Sequence, residues 1–464
     1  MTAPLRTQDT IAAVATPAGN GGIAVIRISG PDAVGVADRV FRGRIPLSSA
    51  ASHTVHYGSV VGEDGRPADA ILATVFRAPH SYTGEEVVEL GTHGGHFVSR
   101  AVLRLVIAAG ARPADPGEFT LRAFLNDRLD LAQAEAVADL IHARSERAHR
   151  VSMEQLTGKL SGHIRELRST LTDLCSLLEL ELDFSEEGIE LARRDELLSK
   201  LSGVRERIQT ILSRYSTGKM AREGVRVALA GKPNVGKSSL LNILLEEERA
   251  IVSEIPGTTR DVIEESITLH GMEFVFTDTA GIRESVDLIE KEGIRRTMQH
   301  IRKADIVLFM VDASEEIGKG EADMLEEAMN SLPKHGKSIL VVNKADRKAS
   351  GFSLPVIPDR PSVEISCKTH TGIDMLKSML FETAIPDHAD ESDAPLITNE
   401  RHKDALVHAL ESLDSAERSI QQNMSGEFVA VDLREALNHL GDIIGLTTPE
   451  DILNNIFARF CIGK

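Results

Sequence analysis

The chain has 464 residues, too many for one ordinary core, and its 42% hydrophobic and 26% charged side chains make a globular composition rather than a disordered or fibrous one. No run approaches the roughly 20 apolar residues of a membrane span, which argues against a transmembrane protein. The net charge of −18 argues against a general nucleic-acid binder, so contact with a polyanion would have to be local or shared with a partner.

The opening stretch MTAPLRTQDTIAAVATPAGNGG is broken by Asp9, Pro17 and glycines and does not read as a secretory signal. Residues 1–150 hold fifteen arginines, no lysine and sixteen acidic residues, so nearly all the negative charge lies beyond them. Strand-like runs GIAVIRISG (22–30), AILATVF (70–76) and EVVELGTH (86–93) are bounded by Gly and Pro, and a helical stretch SRAVLRLVIAAG (99–110) follows them. This alternation predicts an α/β or α+β domain over residues 1–127. The three cysteines, Cys175, Cys367 and Cys461, are scattered and form no CxxC. That pattern predicts neither disulfides nor a zinc site, and fits a reducing cytoplasm.

From about 128 the period becomes helical. Leu160, Ile164, Leu167, Leu171, Leu174 and Leu178 step by four and three, as do Leu198, Leu201, Val204, Ile208, Ile211 and Tyr215. The texture returns with Leu406, Leu410, Leu413 and Ile420, then Leu433, Leu437, Leu440 and Ile444. Thr448-Pro449-Glu450-Asp451 predicts a last helix with a capping hydroxyl and a proline at its first position. These stripes are bundle core. Helical segments at 128–220 and 385–464 flank an α/β segment at 221–384, so the expected fold is multidomain: α/β, then all-α, with a doubly wound domain inserted in the helical one.

The inserted segment carries the strongest signal. VRVALAGKPNVGKSSLLNILL (225–245) reads as strand, glycine-rich loop and helix, with GxxxxGKS at 231–238. Gly231 and Gly236 let backbone N–H groups curl around a phosphate, and the following helix turns its positive end to the same anion. Asn234, Val235, Gly236, Lys237, Ser238 and Ser239 are candidate contacts; Lys237 reaches the β- and γ-phosphates and Ser238 ligates magnesium. EFVFTDTAG (273–281) supplies Asp278, Thr279, Ala280 and Gly281, with Asp278 on magnesium through water and Gly281 donating to the γ-phosphate. SILVVNKAD (338–346) supplies Asn343, Lys344 and Asp346; the Asp346 carboxylate accepts from the N1–H and 2-amino group of guanine, which adenine does not offer. VEISCK (363–368) brings Ser366, Cys367 and Lys368 to the other side of the base, and AIVSEIPGTTRD (250–261) offers Thr259 as a second magnesium ligand. Four motifs in this order predict a GTP-binding domain.

One element departs from the signalling GTPases. After DTAG they place a glutamine that aligns the attacking water, and here Ile282 can make no hydrogen bond. GKPNVGKS, IPGTTRD, DTAGIRE and the terminal FCIGK, with TPAGNGGIAVIRISG (16–30), SYTGEEVVELGTHGG (81–95) and PGEFTLRAFLNDRLDLAQAEAVADLI (116–141), resemble the MnmE (TrmE) family of tRNA-modification GTPases along the whole chain. The resemblance implies GTPase domains that pair face to face in a homodimer, with a potassium ion where others use an arginine finger. Its ligands would be the Asn234 side chain of the glycine-rich loop, with Ser253, Ile255 and Thr258 from a switch loop whose Glu254, Pro256, Gly257 and Thr259 also contact the nucleotide site. Ser253 is often threonine in the family and keeps the oxygen. The resemblance also implies that Glu290 orients the water indirectly; read alone it is an exposed helix charge.

The resemblance further implies a 5-formyl- or methylene-tetrahydrofolate at Arg27, Glu89, Arg128 and Lys464, where a glutamate suits the donor edge of a pterin and cations suit folate carboxylates. Several relatives have lysine at Arg128, whose charge is kept but whose fork geometry differs. Cys461 would take part in the modification as a thiolate; CIGK is no lipidation box, because Gly463 is not aliphatic and Lys464 does not suit the last position. His93 and His96 in HGGH read as a turn beside the folate site rather than a metal site. The implied activity is GTP hydrolysis that drives rearrangement while an aminomethyl-type group is added to carbon 5 of the wobble uridine of certain tRNAs. It implies a flavin- and NADH-using partner, MnmG, and no membrane. The alternative is a regulatory GTPase switch of ribosome assembly, whose outer domains only bind RNA or protein.

Overall fold

The computed structural model describes residues 8–62, 64–183, 193–248, 265–277, 301–318, 337–353, 360–385, 394–458 and 460–464. Contacts divide the chain into two compact units, one of Met1–Ala138, Gln155–Leu201 and His408–Lys464, the other of Asp139–Glu154 and Ser202–Val407. Among the described residues no helix is long and apolar enough to cross a membrane.

The N-terminal strands are β1 (Ile11–Val14), β2 (Ile23–Ser29), β3 (Phe41–Gly43), β4 (Thr54–Val61), β5 (Pro67–Phe76), β6 (Val87–His93) and β7 (Arg112–Pro113). Helices α1 (Ala33–Val40), α2 (His96–Ala108) and α3 (Glu118–Leu125) accompany them. The described strands form one sheet ordered β3-β4-β5-β6-β2-β1-β7, antiparallel except for the parallel β1–β7 pair. Period-two alternation sorts the side chains. Ile26, Ile28, Val88 and Leu90 pack with Val36 and Val40 of α1 and Val102 and Val106 of α2. Their alternates, Arg27 and Glu89, lie in register on the opposite face, and Ile23, Val55, Tyr57 and Leu72 stay exposed.

A buried ion cluster ties this unit together. The Arg122 side chain, 1% exposed, pairs with Asp9 (2.6 Å), Glu118 (2.9 Å) and Glu85 (3.3 Å). Arg112 pairs with Asp9 (2.7 Å) and Glu118 (2.6 Å) from the other side. Burial pushes the Asp9 carboxyl up, but hydrogen bonds from both arginines outweigh it and hold the group below its ordinary value of 3.8. Asp9 therefore contributes stability above that pH and loses it as the pH falls through the lowered folded value. Arg122→Ala strands these carboxylates and should lower stability by about 3–5 kcal/mol. In urea unfolding followed by circular dichroism, the variant should also lose less on acidification below pH 3.8 than the wild type.

Helices α4 (Leu131–His142), α5 (Glu146–Leu156), α6 (Lys159–Asp183), α7 (Arg194–Ser213) and α8 (Tyr215–Glu223) follow. Every member of the Leu160–Leu178 series on α6 is buried. The next series needs correction at both ends: Leu197 rather than Leu198 is buried, and Arg214 is the N-cap of α8, so Tyr215 belongs to that helix.

The nucleotide-type sheet consists of β8 (Val225–Ala230), β9 (Glu265–Leu269), β10 (Met272–Thr277), β11 (Ile306–Asp312), β12 (Lys337–Asn343) and β13 (Ser362–Glu364), with helices α9 (Lys237–Glu248) and α10 (Ile373–Ala384). Its order is β13-β12-β11-β8-β10-β9, parallel except for β9. Along β11, Ile306, Leu308 and Met310 join one apolar cluster, while Val307, Phe309 and Val311 join another. A strand buried on both faces is what a parallel sheet covered on both sides requires.

Helices α11 (Glu400–Gln421), α12 (Gly426–Ile444) and α13 (Glu450–Phe457) close the chain. Leu433, Leu440 and Ile444 of α12 are buried, and Arg168 of α6 donates to the Leu437 carbonyl. The cap of α13 differs from expectation by one residue. Pro449, at ψ 149°, is itself the N-cap, and the Thr448 hydroxyl donates instead to the Asp442 carbonyl (3.3 Å).

Candidate functional site

Two sites emerge, one in each unit. In the second unit, the loop between β8 and α9 turns on two glycines. At Gly231 (φ +144°) a Cβ would meet the Met310 carbonyl oxygen at 2.3 Å, and at Gly236 (φ +104°) it would meet the Asn343 amide nitrogen at 2.2 Å. No larger residue fits either position, so the loop is free to wrap an anion. Asn234, between them, adopts a left-handed backbone (φ 64°) and is exposed at the loop tip. Lys237 begins α9, and its Nζ donates to the Gly231 and Lys232 carbonyls, both at 2.7 Å. Burial pushes its pKa below the usual lysine value. A half-buried ammonium resting on its own loop has the charge and reach to exchange those carbonyls for phosphate oxygens. Val235 is buried, and Ser238 and Ser239 follow Lys237 on the first turn of α9.

Three loops at the carboxyl ends of the strands are laced together. The Asn343 side-chain amide donates to the Val235 carbonyl (2.8 Å) and its oxygen accepts from the Cys367 N–H (3.2 Å). The Ser366 hydroxyl donates to Asp346 (2.7 Å) and accepts from the Thr369 N–H (3.2 Å). That hydrogen bond is the chief cause holding the Asp346 carboxyl below its ordinary value, so it is an ionised acceptor at neutral pH. Lys344, between Asn343 and Asp346, is left-handed (φ 61°), and Lys368 is exposed. Burial pushes the Cys367 thiol up, so it packs as a small apolar group. The donor and acceptor set fits a purine carrying an N1–H and an amino group, with phosphates at the β8–α9 loop.

Ser253, Glu254, Ile255, Pro256, Gly257, Thr258, Thr259, Asp278, Thr279, Ala280, Gly281, Ile282 and Glu290 lie outside the described residues.

The first unit's site assembles residues far apart in sequence. Arg27 on β2 faces Glu89 on β6; its Nε donates to Oε1 at 2.8 Å, and Nη2 lies 2.8 Å from the same oxygen. The guanidinium sits over the Tyr82 ring at 5.0 Å and near the Phe119 ring at 5.7 Å. Its Nη1 is buried without a hydrogen-bond partner. A native orphan donor of this kind is costly, and is explained when an acceptor from a ligand completes it.

The chain terminus reaches the same place. At Gly463 (φ +97°) a Cβ would meet the Val14 carbonyl oxygen at 2.4 Å, so the tail lies directly on β1. Lys464, half-buried, is pushed below the usual lysine value by burial and by the nearby Arg27, with Glu89 and Cys461 opposing. Cys461 is exposed, and its carbonyl accepts from the Lys464 N–H (3.3 Å) and the Gly117 N–H (3.5 Å). Arg128 lines an open cleft of about 480 Å³ with His53, Phe76, His80, Ser81 and Tyr82. Tyr82 thus borders both the Arg27–Glu89 pair and the Arg128 cleft. A carboxylate in register with an arginine, aromatic faces and two further cations suit a flat heterocycle bearing an acidic tail.

Sequence reasoning missed Tyr82 and Phe119, which SYTGEE and GEFTL contain but do not mark. The HGGH segment is resolved: His93 Nδ1 pairs with Asp69 at 2.6 Å, and His96 opens α2. Among the described residues no group of three side chains could hold a metal.

Comparisons with known proteins place the chain in a family. The family model for the MnmE helical domain matches residues 131–461, and that for the GTP-binding protein TrmE N-terminus matches residues 10–128. The tRNA modification GTPase MnmE of Christiangramia forsetii is 43% identical, covering 99% of this chain and 100% of its own. That of Protochlamydia amoebophila is 42% identical over 99% of each. Among solved structures, the G domain of the T. maritima FeoB iron transporter is 29% identical over 35% of this chain and 99% of its own, at a TM-score of 0.25. Matches on both family models, and two relatives over 40% identical along almost the whole chain, make this chain a member of the MnmE (TrmE) family.

Proposed function

We propose that the chain is a potassium-dependent GTP hydrolase of tRNA modification. It acts with a flavin-dependent partner, MnmG, to install an aminomethyl or carboxymethylaminomethyl group on carbon 5 of the wobble uridine of certain tRNAs. The observation that carries the reading is the lacing of Val235, Asn343, Asp346, Ser366 and Cys367 into one guanine-shaped cradle beside a glycine loop. The names of the relatives supply the tRNA. We assign residues 1–127 to tetrahydrofolate binding and dimerisation, 221–384 to GTP, and 128–220 with 385–464 to the helical domain.

When bound, magnesium and potassium offset charge developing on the phosphates, and a 5-formyl- or methylene-tetrahydrofolate supplies the one-carbon unit. The residues of the chain divide the remaining work. Lys237 binds the β- and γ-phosphate oxygens, and Asp346 selects guanine. Ser238 and Thr259 hold magnesium; Asn234, Ser253, Ile255 and Thr258 hold potassium; Glu290 orients the attacking water that Ile282 cannot. Arg27 and Glu89 grip the pterin edge, Arg128 and Lys464 take the carboxylates, and Cys461 lies beside them as a candidate thiolate. The apolar side chains exposed on the first sheet, Ile23, Val55, Tyr57 and Leu72, give a second copy a surface to cover. A reducing cytoplasm fits this role.

GTP turnover should be at least about tenfold faster in potassium than in sodium, because only the larger ion completes a site built from one side chain and loop oxygens. Asn234→Ala should erase the difference. Phosphate release measured in matched chloride salts decides it: equal wild-type rates remove the potassium site.

A further inference from the structure

Within the NKAD segment the Lys344 side chain is anchored by a residue that belongs to none of the nucleotide motifs. Its Nζ donates to Oδ2 of Asp312, the last residue of β11, which stands in register with Asn343. Asp312 is itself fixed: Oδ1 accepts from the Ser314 N–H (2.9 Å) and the Ser314 hydroxyl (2.6 Å). Burial pushes the Asp312 carboxyl up, yet the hydrogen bonds from Lys344 and Ser314 outweigh it and keep the group ionised. The carboxylate is nearly enclosed, while the lysine stem remains over a third exposed.

Neither the nucleotide motifs nor the folate cluster uses Asp312. A lysine side chain loses rotamer freedom when it is ordered, and holding its tip before a ligand arrives removes much of that cost from binding. With its backbone in the left-handed region and its ammonium tied to β11, Lys344 has one arrangement. In the chain it stands between Asn343, whose amide donates to the Val235 carbonyl of the phosphate loop, and Asp346.

We propose that Asp312 is a positioning residue for nucleotide recognition: it anchors the Lys344 ammonium so that the lysine stem forms a preset apolar shelf against the face of the guanine ring. Ser314 holds the anchor. This rests on the reading that Asp346 selects guanine.

The test is a double-mutant cycle on the full chain, measuring the dissociation constant of a fluorescent GDP, with unlabelled GDP and ADP as competitors. Asp312→Ala should weaken GDP about tenfold, the scale of one charge-assisted hydrogen bond. Lys344→Ala should weaken it at least as much, and the double variant should be no worse than Lys344→Ala alone. Asp312→Glu should recover part of the loss. Should Asp312→Ala fail to fold, Ser314→Ala, which removes the hydroxyl bond to Oδ1 but keeps the backbone N–H bond and the charge, should show a smaller loss in the same direction. Wild-type affinity in Ser314→Ala together with Asp312→Ala, or losses that add in the cycle, overturn the proposal while leaving guanine selection intact. A wild-type chain that binds GDP and ADP equally overturns the guanine reading and the shelf with it.

Discussion

Lys237→Ala should lower GTP hydrolysis by at least about a hundredfold, the range for removing one preorganised charge from a site where negative charge develops. The side chain sits inside its own loop, with Nζ on the Gly231 and Lys232 carbonyls and its pKa lowered by burial. A lysine in that state favours an anion strongly, because phosphate oxygens would restore the charge balance that burial disturbs. Lys237→Arg should fail nearly as badly. Its planar fork cannot enter the space between two loop carbonyls at 2.7 Å. Phosphate release under saturating GTP in potassium buffer measures both, and a Lys237→Ala rate within a few fold of wild type would remove the lysine from the chemistry.

Glu89→Ala should weaken the proposed tetrahydrofolate binding by about a hundredfold or more, the loss of two charge-assisted hydrogen bonds of roughly 1.5–3 kcal/mol each. The glutamate does two jobs in this geometry. It holds the Arg27 guanidinium over Tyr82 through Nε and Nη2, and its remaining capacity is available to a heterocycle with adjacent donors. Removing it leaves Arg27 with a second unsatisfied edge beside the orphan Nη1, so the site loses shape as well as a partner. Glu89→Gln keeps the shape but offers one acceptor and an unwanted donor, so it should fall between. Isothermal titration with 5-formyl-tetrahydrofolate provides the readout; wild-type affinity in Glu89→Ala would place the folate elsewhere.

The two sites were legible in the sequence to different degrees, for a physical reason. GKPNVGKS folds as a local strand–loop–helix unit, and the glycines that its turn requires are visible in the string itself. NKAD and SCK follow adjacent parallel strands, at their carboxyl ends, and the apolar run leading into NKAD is plain to read. The first site instead gathers residues 27, 82, 89, 119 and 464, brought together by the antiparallel register of β2 with β6 and by a C-terminal tail laid on β1. Neither a register nor a tail's path is written in any short window, so only the family resemblance pointed to Arg27, Glu89 and Lys464. The Asp312–Lys344 contact was hidden for the same reason, since it depends on β11 pairing with β12. Smaller misses are local. Leu197 replaces Leu198 because the helix face turns by one residue, and Pro449 caps α13 because its extended ψ already ends the preceding loop.

The nucleoside content of tRNA tests the proposed function most directly. Cells lacking this chain should lose the carbon-5-substituted wobble uridine by mass spectrometry, wild-type protein should restore it, and neither Lys237→Ala nor Glu89→Ala should do so. An unchanged wobble uridine in the deleted cells would contradict the assignment outright.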